Sequence, residues 1–466
     1  MKRTIVKSKY QAMLSQVSQY SPLTKSNLFY SILIIACLCM FSSNTFANAS
    51  KVEIIKSDGK YLLTVNGTPF AVNGVGLGYR DKNWVKALKE AGGNSFRTWS
   101  SGNIEEELAL AKELDLMVAV GINTGKQLLA FDYNDEAAVA EQYKRVTDII
   151  QQYKHHPNIL AWVIGNEQNL LLDDNGQMLP VNPKVYEAMG DIVDFIHKND
   201  PNHPVTLTLA AARKVDIDLV LKHIPNIDFI SVQLYGNLDN LSEYIEASGV
   251  DKPFMVTEFG PTGHWEMPST SWGRAIEEPS GIKADNVARR IRDNILNDPT
   301  GKLIGSFAFF WGQKQERTPT WYGMFNASGH QNARIEELTK IWTGSYPNNR
   351  APRSTKITIN TKEPQESLIL APNNKATAVV LVSDPNGDSI STKWVLRKEV
   401  VARSQGGHFE TKPEDIDLKT TDQSQTDTEA KLIFTTPSAK GEYRLFAYTY
   451  DGKGKVGNAN FPFLVK

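Results

Sequence analysis

Cysteine is nearly absent from this chain. Both of its cysteines, Cys37 and Cys39, fall near the N-terminus, so the remaining 427 residues have no thiol from which to build a disulfide or a cysteine metal site. Zinc-type spacings of His, Asp and Glu are also missing, as is a Gly-x-Ser-x-Gly turn; the glycines after the first apolar run, Gly74-Val75-Gly76-Leu77-Gly78, lack the Gly-x-Gly-x-x-Gly spacing, and no metal or cofactor is expected. No Lys/Arg-rich block occurs and the formal net charge is −1, which argues against nucleic acid as the main partner. No apolar run is long enough for a comfortable membrane span. A fold without disulfides must be held by a large apolar core, and 466 residues with 41% hydrophobic side chains permit one.

What is present begins with an export signal. Lys2, Arg3, Lys7, Lys9 and Lys25 precede an apolar run over residues 28–41, and small residues follow to Ala47 and Ala49. A charged region, an apolar core and a small-residue cleavage site predict a signal peptide over residues 1–47 and a secreted or periplasmic protein. The competing reading is a lipid anchor at Cys37, after Ile34-Ile35-Ala36, which would tether the chain to the cell envelope.

Residues 51–345 read as one catalytic unit. Two short alternating runs around Ser57-Asp58-Gly59, with a second turn at Asn66-Gly67, predict an N-terminal β-hairpin. Eight apolar runs then alternate with helix-like stretches, at residues 71–76, 94–98, 117–122, 159–164, 205–209, 229–234, 254–257 and 304–310. They lack polar alternation, as strands covered on both faces do. Eight such strands separated by helices predict a (β/α)8 barrel of the α/β class. The Gly/Pro/Asn-rich stretch at residues 346–355 reads as a linker across which few contacts pass, so a chain ending near Tyr346 is expected to fold alone. Residues 356–466 carry short alternating runs divided by turn signals such as Asp384-Pro385-Asn386-Gly387-Asp388, the pattern of a small all-β immunoglobulin-like sandwich serving as an accessory domain.

The chemistry sits at the ends of two of the eight runs. Hydrolysis of a glycosidic bond needs one carboxyl group to protonate the leaving oxygen and another to attack or to activate water. In a barrel such groups belong at the C-terminal ends of strands. The fourth run ends in Gly165-Asn166-Glu167 and the seventh in Thr257-Glu258-Phe259-Gly260. One acidic residue at a strand end is ordinarily a solvated end; two, on the fourth and seventh strands of one barrel, point to a catalytic pair.

This pattern resembles the clan of retaining β-glycosidases with Asn-Glu on strand four and Glu on strand seven. The His155-His156-Pro157-Asn158 lead-in to Gly165-Asn166-Glu167 is similar to the barrel of glycoside hydrolase family 2, and Thr257-Glu258-Phe259-Gly260 is similar to families 2 and 5. The resemblance implies Glu167 as acid/base and Glu258 as nucleophile. It implies Arg97 and Tyr235 as contacts of the nucleophile, Asn166 as the residue that binds the sugar 2-hydroxyl, and Trp311 as the aromatic floor under the reacting sugar. Family 2 enzymes usually carry two β-domains before the barrel, whereas about 20 residues separate the expected leader from the first strand here, so the family's substrates do not carry over. From the loops themselves, Trp99, His264, Trp265 and Trp321 offer the flat faces and polar edges that sugars take. The expected activity is retaining cleavage of a β-linked oligo- or polysaccharide by a monomeric exported hydrolase. Transglycosylation by the same two glutamates, or a carbohydrate-binding barrel without catalysis, are the alternatives.

Overall fold

The computed structural model describes residues 49–466 except 79, 80, 174, 175, 402, 403 and 405. The expected leader over residues 1–47, Cys37 included, lies outside the described residues.

The chain opens with the antiparallel strands β1 (Val52–Ser57), β2 (Lys60–Val65) and the short β3 (Thr68–Pro69). The two turns form at Asp58-Gly59 and Asn66-Gly67, all four residues having positive φ (50°, 79°, 52° and 77°). Asp, Asn and Gly adopt that conformation at least cost, and it matches the twist of a hairpin. Val52, Leu63 and Ile54 pack on Met117, Ala119, Ala161, Val163, Phe229, Met255 and Phe307, so the hairpin plugs the bottom of the barrel.

The barrel strands are β4 (Asn73–Leu77), β5 (Ser95–Arg97), β6 (Met117–Ile122), β7 (Ile159–Ile164), β8 (Val205–Thr206), β9 (Thr208–Ala210), β10 (Ile230–Gln233), β11 (Phe254–Phe259) and β12 (Leu303–Trp311). They are parallel, in the order β8-β7-β6-β5-β4-β12-β11-β10-β9. The fifth expected run is divided at Leu207: β8 pairs with β7 and β9 with β10, so residues 205–210 close the ring. The helices between are α1 (Lys82–Glu90), α2 (Ile104–Leu114), α3 (Glu136–Tyr153), α4 (Lys184–Asn199), α5 (Lys214–His223), α6 (Leu241–Ser248) and α7 (Ser280–Arg290), followed after β12 by α8 (Ala333–Thr343). Along β6 and β7 the side chains alternate. Met117, Ala119, Ala161 and Val163 join the hairpin inside, while Val118, Val120, Ile122, Trp162 and Ile164 join the helices outside. Period-two alternation with apolar partners on both sides is what the continuous apolar runs demand. Among the described residues no helix is long and apolar enough to cross a membrane.

The C-terminal strands are β13 (Arg353–Ile359), β14 (Ile369–Leu370), β15 (Lys375–Ser383), β16 (Ser391–Lys398), β17 (Asp415–Ile416), β18 (Thr420–Gln425), β19 (Glu429–Thr435), β20 (Gly441–Tyr450) and β21 (Val456–Val465). They form two sheets, β13-β15-β19-β18 and β14-β21-β20-β16-β17. Ile357, Val380, Leu432, Phe434, Leu445, Phe461 and Phe463 fill the space between. Asp384 Oδ1 accepts backbone N–H groups from Asn386 and Asp388, which makes the Asp384–Asp388 stretch a hydrogen-bonded turn.

The expectation of few contacts across residues 346–355 is overturned. Ala351 is buried and donates its N–H to Glu336, and Arg350 and Arg353 reach Glu336 and Glu337 on α8. β20 and β21 are buried on both faces: one packs in the sandwich core, the other bears on the barrel. At that junction Glu277 is fully buried, paired with Lys283 and hydrogen-bonded by Thr318 and by Asn460 of β21 (2.6 Å). Arg444 of β20 donates to Glu399 (2.7 Å), Asn460 (2.7 Å) and the carbonyl of Ala275 (2.9 Å). Burial works against the Glu277 charge, but Lys283, Thr318 and Arg444 outweigh it and hold the carboxyl below its ordinary pKa. Burial lowers the Lys283 ammonium to about 8. A polar stretch between two apolar domains reads as a tether, yet its arginines are ion-pair partners for α8, and the strands behind it present a polar face fitted to one partner.

Two outcomes follow for unfolding experiments. A chain ending at Tyr346 exposes the junction and strips Glu277 of Asn460; it is expected to lose solubility or its cooperative thermal transition, and a soluble, cooperatively folding fragment would show the barrel to be self-sufficient. Lys283→Met leaves the Glu277 carboxylate buried without its cation and is expected to cost about 3–5 kcal/mol in urea unfolding of the full chain.

Candidate active site

At the C-terminal ends of the strands one carboxylate is surrounded by donors. Glu258, near the end of β11, is 6% exposed. Its Oε1 accepts from Arg97 Nη1 (2.8 Å) and Trp99 Nε1 (2.6 Å), and its Oε2 from the Tyr235 hydroxyl (2.9 Å). Arg97 ends β5 and is fully buried, its Nη1 also donating to the carbonyl of Thr257 (2.9 Å). Burial pushes the Arg97 guanidinium down from its ordinary pKa, while the neighbouring charge of Glu258 pushes it back up. Burial, then the charge of Glu258, raises the Tyr235 phenol well above its usual range, so it donates a proton and does not lose it. The Glu258 carboxylate thus accepts hydrogen bonds from a guanidinium, an indole and a phenol.

Asn166 is the second hub. Its Oδ1 accepts from Arg97 Nη2 (2.6 Å), Gln233 Nε2 (2.7 Å) and Thr208 Oγ1 (3.3 Å). Three donors on the oxygen fix the amide orientation and leave Nδ2 as the donor for a ligand. Glu167 follows with φ of +53° and donates its N–H to Thr208 Oγ1 (3.0 Å). A residue other than Gly, Asn or Asp adopts that conformation at a cost, which here turns the chain sharply off β7. Burial first, and the negative charge of Glu258 second, raise the Glu167 carboxyl to about 7. The two glutamates therefore differ in setting: Glu258 lies among hydrogen-bond donors, while burial and its neighbour's charge keep Glu167 partly protonated at neutral pH.

The structure brings Arg97, Trp99, Asn166, Glu167, Tyr235 and Glu258 together, but it moves two of the expected aromatic contacts. Trp311 is fully buried on the outer side of the barrel, its indole N–H on the carbonyl of Trp84 (2.8 Å) and its ring against Phe325 (centroids 5.4 Å apart). It is not the floor of the cleft. The register of β12 against β4 shifts between Ala308 and Trp311. That irregularity reverses the inside–outside alternation, so Phe309 and Phe310 join Tyr235, Trp321 and Tyr322 in the aromatic cluster at the top. Trp321 is 1% exposed, donates to the carbonyl of Thr262 (3.0 Å) and supports that cluster from below. His264 is half-buried, edge-on to Trp321 and Tyr322. Trp265 is 59% exposed, with its ring edge-on to Tyr235 (centroids 5.2 Å). Trp99 takes a role other than the expected flat face, since its indole N–H is spent on Glu258.

Sequence reasoning missed Gln233, Thr208 and Phe309. Gln233 was legible: a polar side chain in a buried strand two residues before Tyr235 shares the inward face of that residue. Thr208 and Phe309 gave no signal apart from inward parity. Glu266, a loop carboxylate, accepts three backbone N–H groups, from Gly236, Asn237 and Gly263, and so staples the loops after β10 and β11 together. Among the described residues no cluster of His, Cys, Asp and Glu is arranged to hold a metal ion.

The cause of the Glu167 shift is testable directly. In Glu258→Gln the negative neighbour is gone while the shape is kept, so the Glu167 carboxyl is expected to titrate at lower pH than in the parent protein. Carbon-13 NMR titration of the side-chain carboxyl reads this; an unchanged midpoint would mean that burial alone raises it.

Residues 55–269 match the family model described as "Glycosyl hydrolases family 2, TIM barrel domain". A beta-glucuronidase of Streptococcus agalactiae is 25% identical over 292 residues, covering 55% of this chain and 45% of that protein. A beta-glucuronidase of Paenibacillus borealis is 25% identical over 338 residues, covering 64% and 53%. A solved structure of a calcium binding mutant of Bacteroides uniformis beta-glucuronidase 2 superposes with a TM-score of 0.49 at 13% identity, covering 89% of this chain and 48% of that one. The chain spans about half the length of the curated relatives it matches. With the family model lying over the strands that carry Arg97, Asn166, Glu167, Tyr235 and Glu258, the chain contains a glycoside hydrolase family 2-like (β/α)8 barrel.

Proposed function

We propose that the protein is an exported glycoside hydrolase that cleaves a β-linked saccharide in two steps with retention of configuration. The observation that carries this reading is the contrast between the two carboxyl groups: Glu258 hydrogen-bonded by Arg97, Trp99 and Tyr235, and Glu167 raised to about 7. A nucleophile must be ionised and a general acid protonated, and this pair provides both at one pH.

In the first step a Glu258 carboxylate oxygen bonds to the anomeric carbon as the bond to the leaving oxygen breaks. The Glu167 proton passes to that oxygen, and a glycosyl ester remains on Glu258. In the second step Glu167, now a carboxylate, takes a proton from water while the water oxygen bonds to the anomeric carbon and the ester bond breaks. Sugar is released, and both carboxyl groups return to their starting states. The Asn166 amide N–H is placed to bind the hydroxyl beside the anomeric carbon, and Trp265 offers an open ring face at the rim. Since the relatives in hand are named beta-glucuronidases, 4-nitrophenyl β-D-glucuronide heads a panel of 4-nitrophenyl β-glycosides for identifying the sugar.

Azide separates the two roles. Glu258→Ala is expected to abolish turnover of the panel substrate and to regain part of it with sodium azide, giving a glycosyl azide of inverted configuration, because the anion attacks the face the carboxylate vacated. Proton NMR of the product gives the configuration. An inverted azide from Glu167→Ala instead would exchange the two assignments.

A further inference from the structure

The C-terminal sandwich reaches the cleft. Between β16 and β17 the chain leaves the sandwich and crosses to the barrel loops. Glu410, whose side chain is fully buried, anchors it: its carboxylate takes the backbone N–H of Arg317 (2.6 Å) and pairs with the Arg317 guanidinium, and it also accepts from the N–H of Ser404 (2.9 Å). Arg317 Nη2 donates to the carbonyl of Ser404 (2.9 Å), and Lys314 Nζ to the carbonyl of Gly407 (2.8 Å). Lys314 in turn pairs with Glu316 (2.9 Å) and lies over the ring of Phe309 (5.3 Å). Arg274 ties the start of the crossing by donating to the carbonyl of Val400 (3.0 Å).

At the far end of the crossing Gly406 and Gly407 have φ of +58° and +72°. A side chain begun at Gly406 would stand 3.0 Å from Leu170, 3.4 Å from Leu128 and 3.9 Å from Glu167 Oε2. One begun at Gly407 would stand 3.0 Å from Lys314 Nζ. Leu128, Leu170 and Lys314 lie in the loops after β6, β7 and β12, so the bare backbone at Gly406 closes over three loops of the cleft and comes against the carboxyl of Glu167. The Glu258 carboxylate is held by a different set of residues, Arg97, Trp99 and Tyr235.

We propose that Ser404, Gly406, Gly407 and Glu410 are a working part of the active site: this segment walls the side of the cleft into which the leaving group departs and so selects the leaving group. The inference rests on reading Glu167 as the acid, since the acid stands beside the leaving oxygen. Gly406 supplies the wall because only a residue without a side chain brings backbone so near to Glu167 at that φ. The sandwich is then a specificity element of the barrel, and the pairs on Arg317, Lys314 and Arg274 position it.

The test compares leaving groups in the full chain. The sugar identified by the chromogenic panel is presented as its glycosyl fluoride, whose leaving group is one atom, and as a β-linked disaccharide. Gly406→Asn places a side chain on the wall with the residue that best tolerates positive φ. It is expected to lower kcat/KM for the disaccharide by about tenfold or more while that for the fluoride changes by less than about threefold. Glu410→Gln, which loosens the anchor without filling the cleft, is expected to raise KM for the disaccharide and leave the fluoride unaffected. Circular dichroism confirms that each variant is folded, and if Gly406→Asn does not fold, Glu410→Gln decides. Equal losses on both substrates, or no change in the ratio between them, would make the segment packing alone and overturn the proposal. The reading of Glu167 is judged separately, on the parent loop: Glu167→Ala must lose kcat/KM for the disaccharide and keep kcat/KM for the fluoride, whose first step needs no acid, and a variant that still cleaves the disaccharide would remove the acid from Glu167 whatever the loop variants do.

Discussion

The contact on which the rest of the site depends is the buried ion pair between Arg97 and Glu258. A guanidinium with no exposure to water is costly unless its N–H groups find acceptors, and here the acceptors come from two other strands. One is the carboxylate of Glu258 and the carbonyl before it on β11; the other is Asn166, just past β7. Arg97 therefore fixes the second, fourth and seventh strands relative to one another at their C-terminal ends. Because its Nη2 occupies the Asn166 oxygen, the amide nitrogen is left for a ligand. The negative charge of Glu258 in turn adds to burial in raising the Glu167 carboxyl. Amide orientation and strand geometry follow from one side chain whose acceptors come from the ends of two other strands.

Around this pair the barrel is layered. The hairpin plugs the bottom with Val52, Ile54 and Leu63, which pack on Met117, Ala119, Ala161, Val163 and Phe307; Thr206 and Ser231 hydrogen-bond to each other along the strands, and the network of Arg97, Asn166 and Glu258 gathers at the top. Polar side chains are tolerated there because each accepts or donates to another: Gln233 and Thr208 to Asn166, Tyr235 and Trp99 to Glu258. The aromatic cluster of Tyr235, Phe309, Phe310, Trp321 and Tyr322 shields the network on one side and holds the donors in place.

The sandwich is joined to the barrel through buried polar groups as well as apolar surface. Asn460, Arg444, Glu399, Glu277 and Lys283 satisfy one another across the junction. Such a network is favourable only when complete, since an unpaired buried charge is far more costly than a lost apolar contact. That requirement gives the sandwich one seat on the barrel, and it is from that seat that the segment ending at Glu410 reaches Arg317 and the cleft.

The order of elements was legible in the sequence because buried parallel strands leave continuous apolar runs and the turns of the hairpin need Asp, Asn and Gly at positive φ. Glu167 and Glu258 were legible for a related reason: an acidic residue that ends an apolar strand in a barrel lies at the top, where strand ends converge; Arg97, Asn166 and Tyr235 were legible through the resemblance to the retaining β-glycosidases. Three things lay beyond it. Trp311 shares the inward parity of Phe309, and only the register shift in β12 turns it to the outer face, a difference of one residue in alternation that no composition records. The stretch at residues 346–355 has a linker's composition, yet its arginines find their carboxylates on α8 only once β13 is docked. Gly406 reads in the sequence as half of a Gly-Gly turn; its closeness to Glu167 is set by two domains meeting across more than two hundred residues of chain. The sequence determined which residues are inward and polar, since alternation and burial are local properties; the tertiary structure decided which of them meet, since pairing across the barrel and between the domains depends on register and docking.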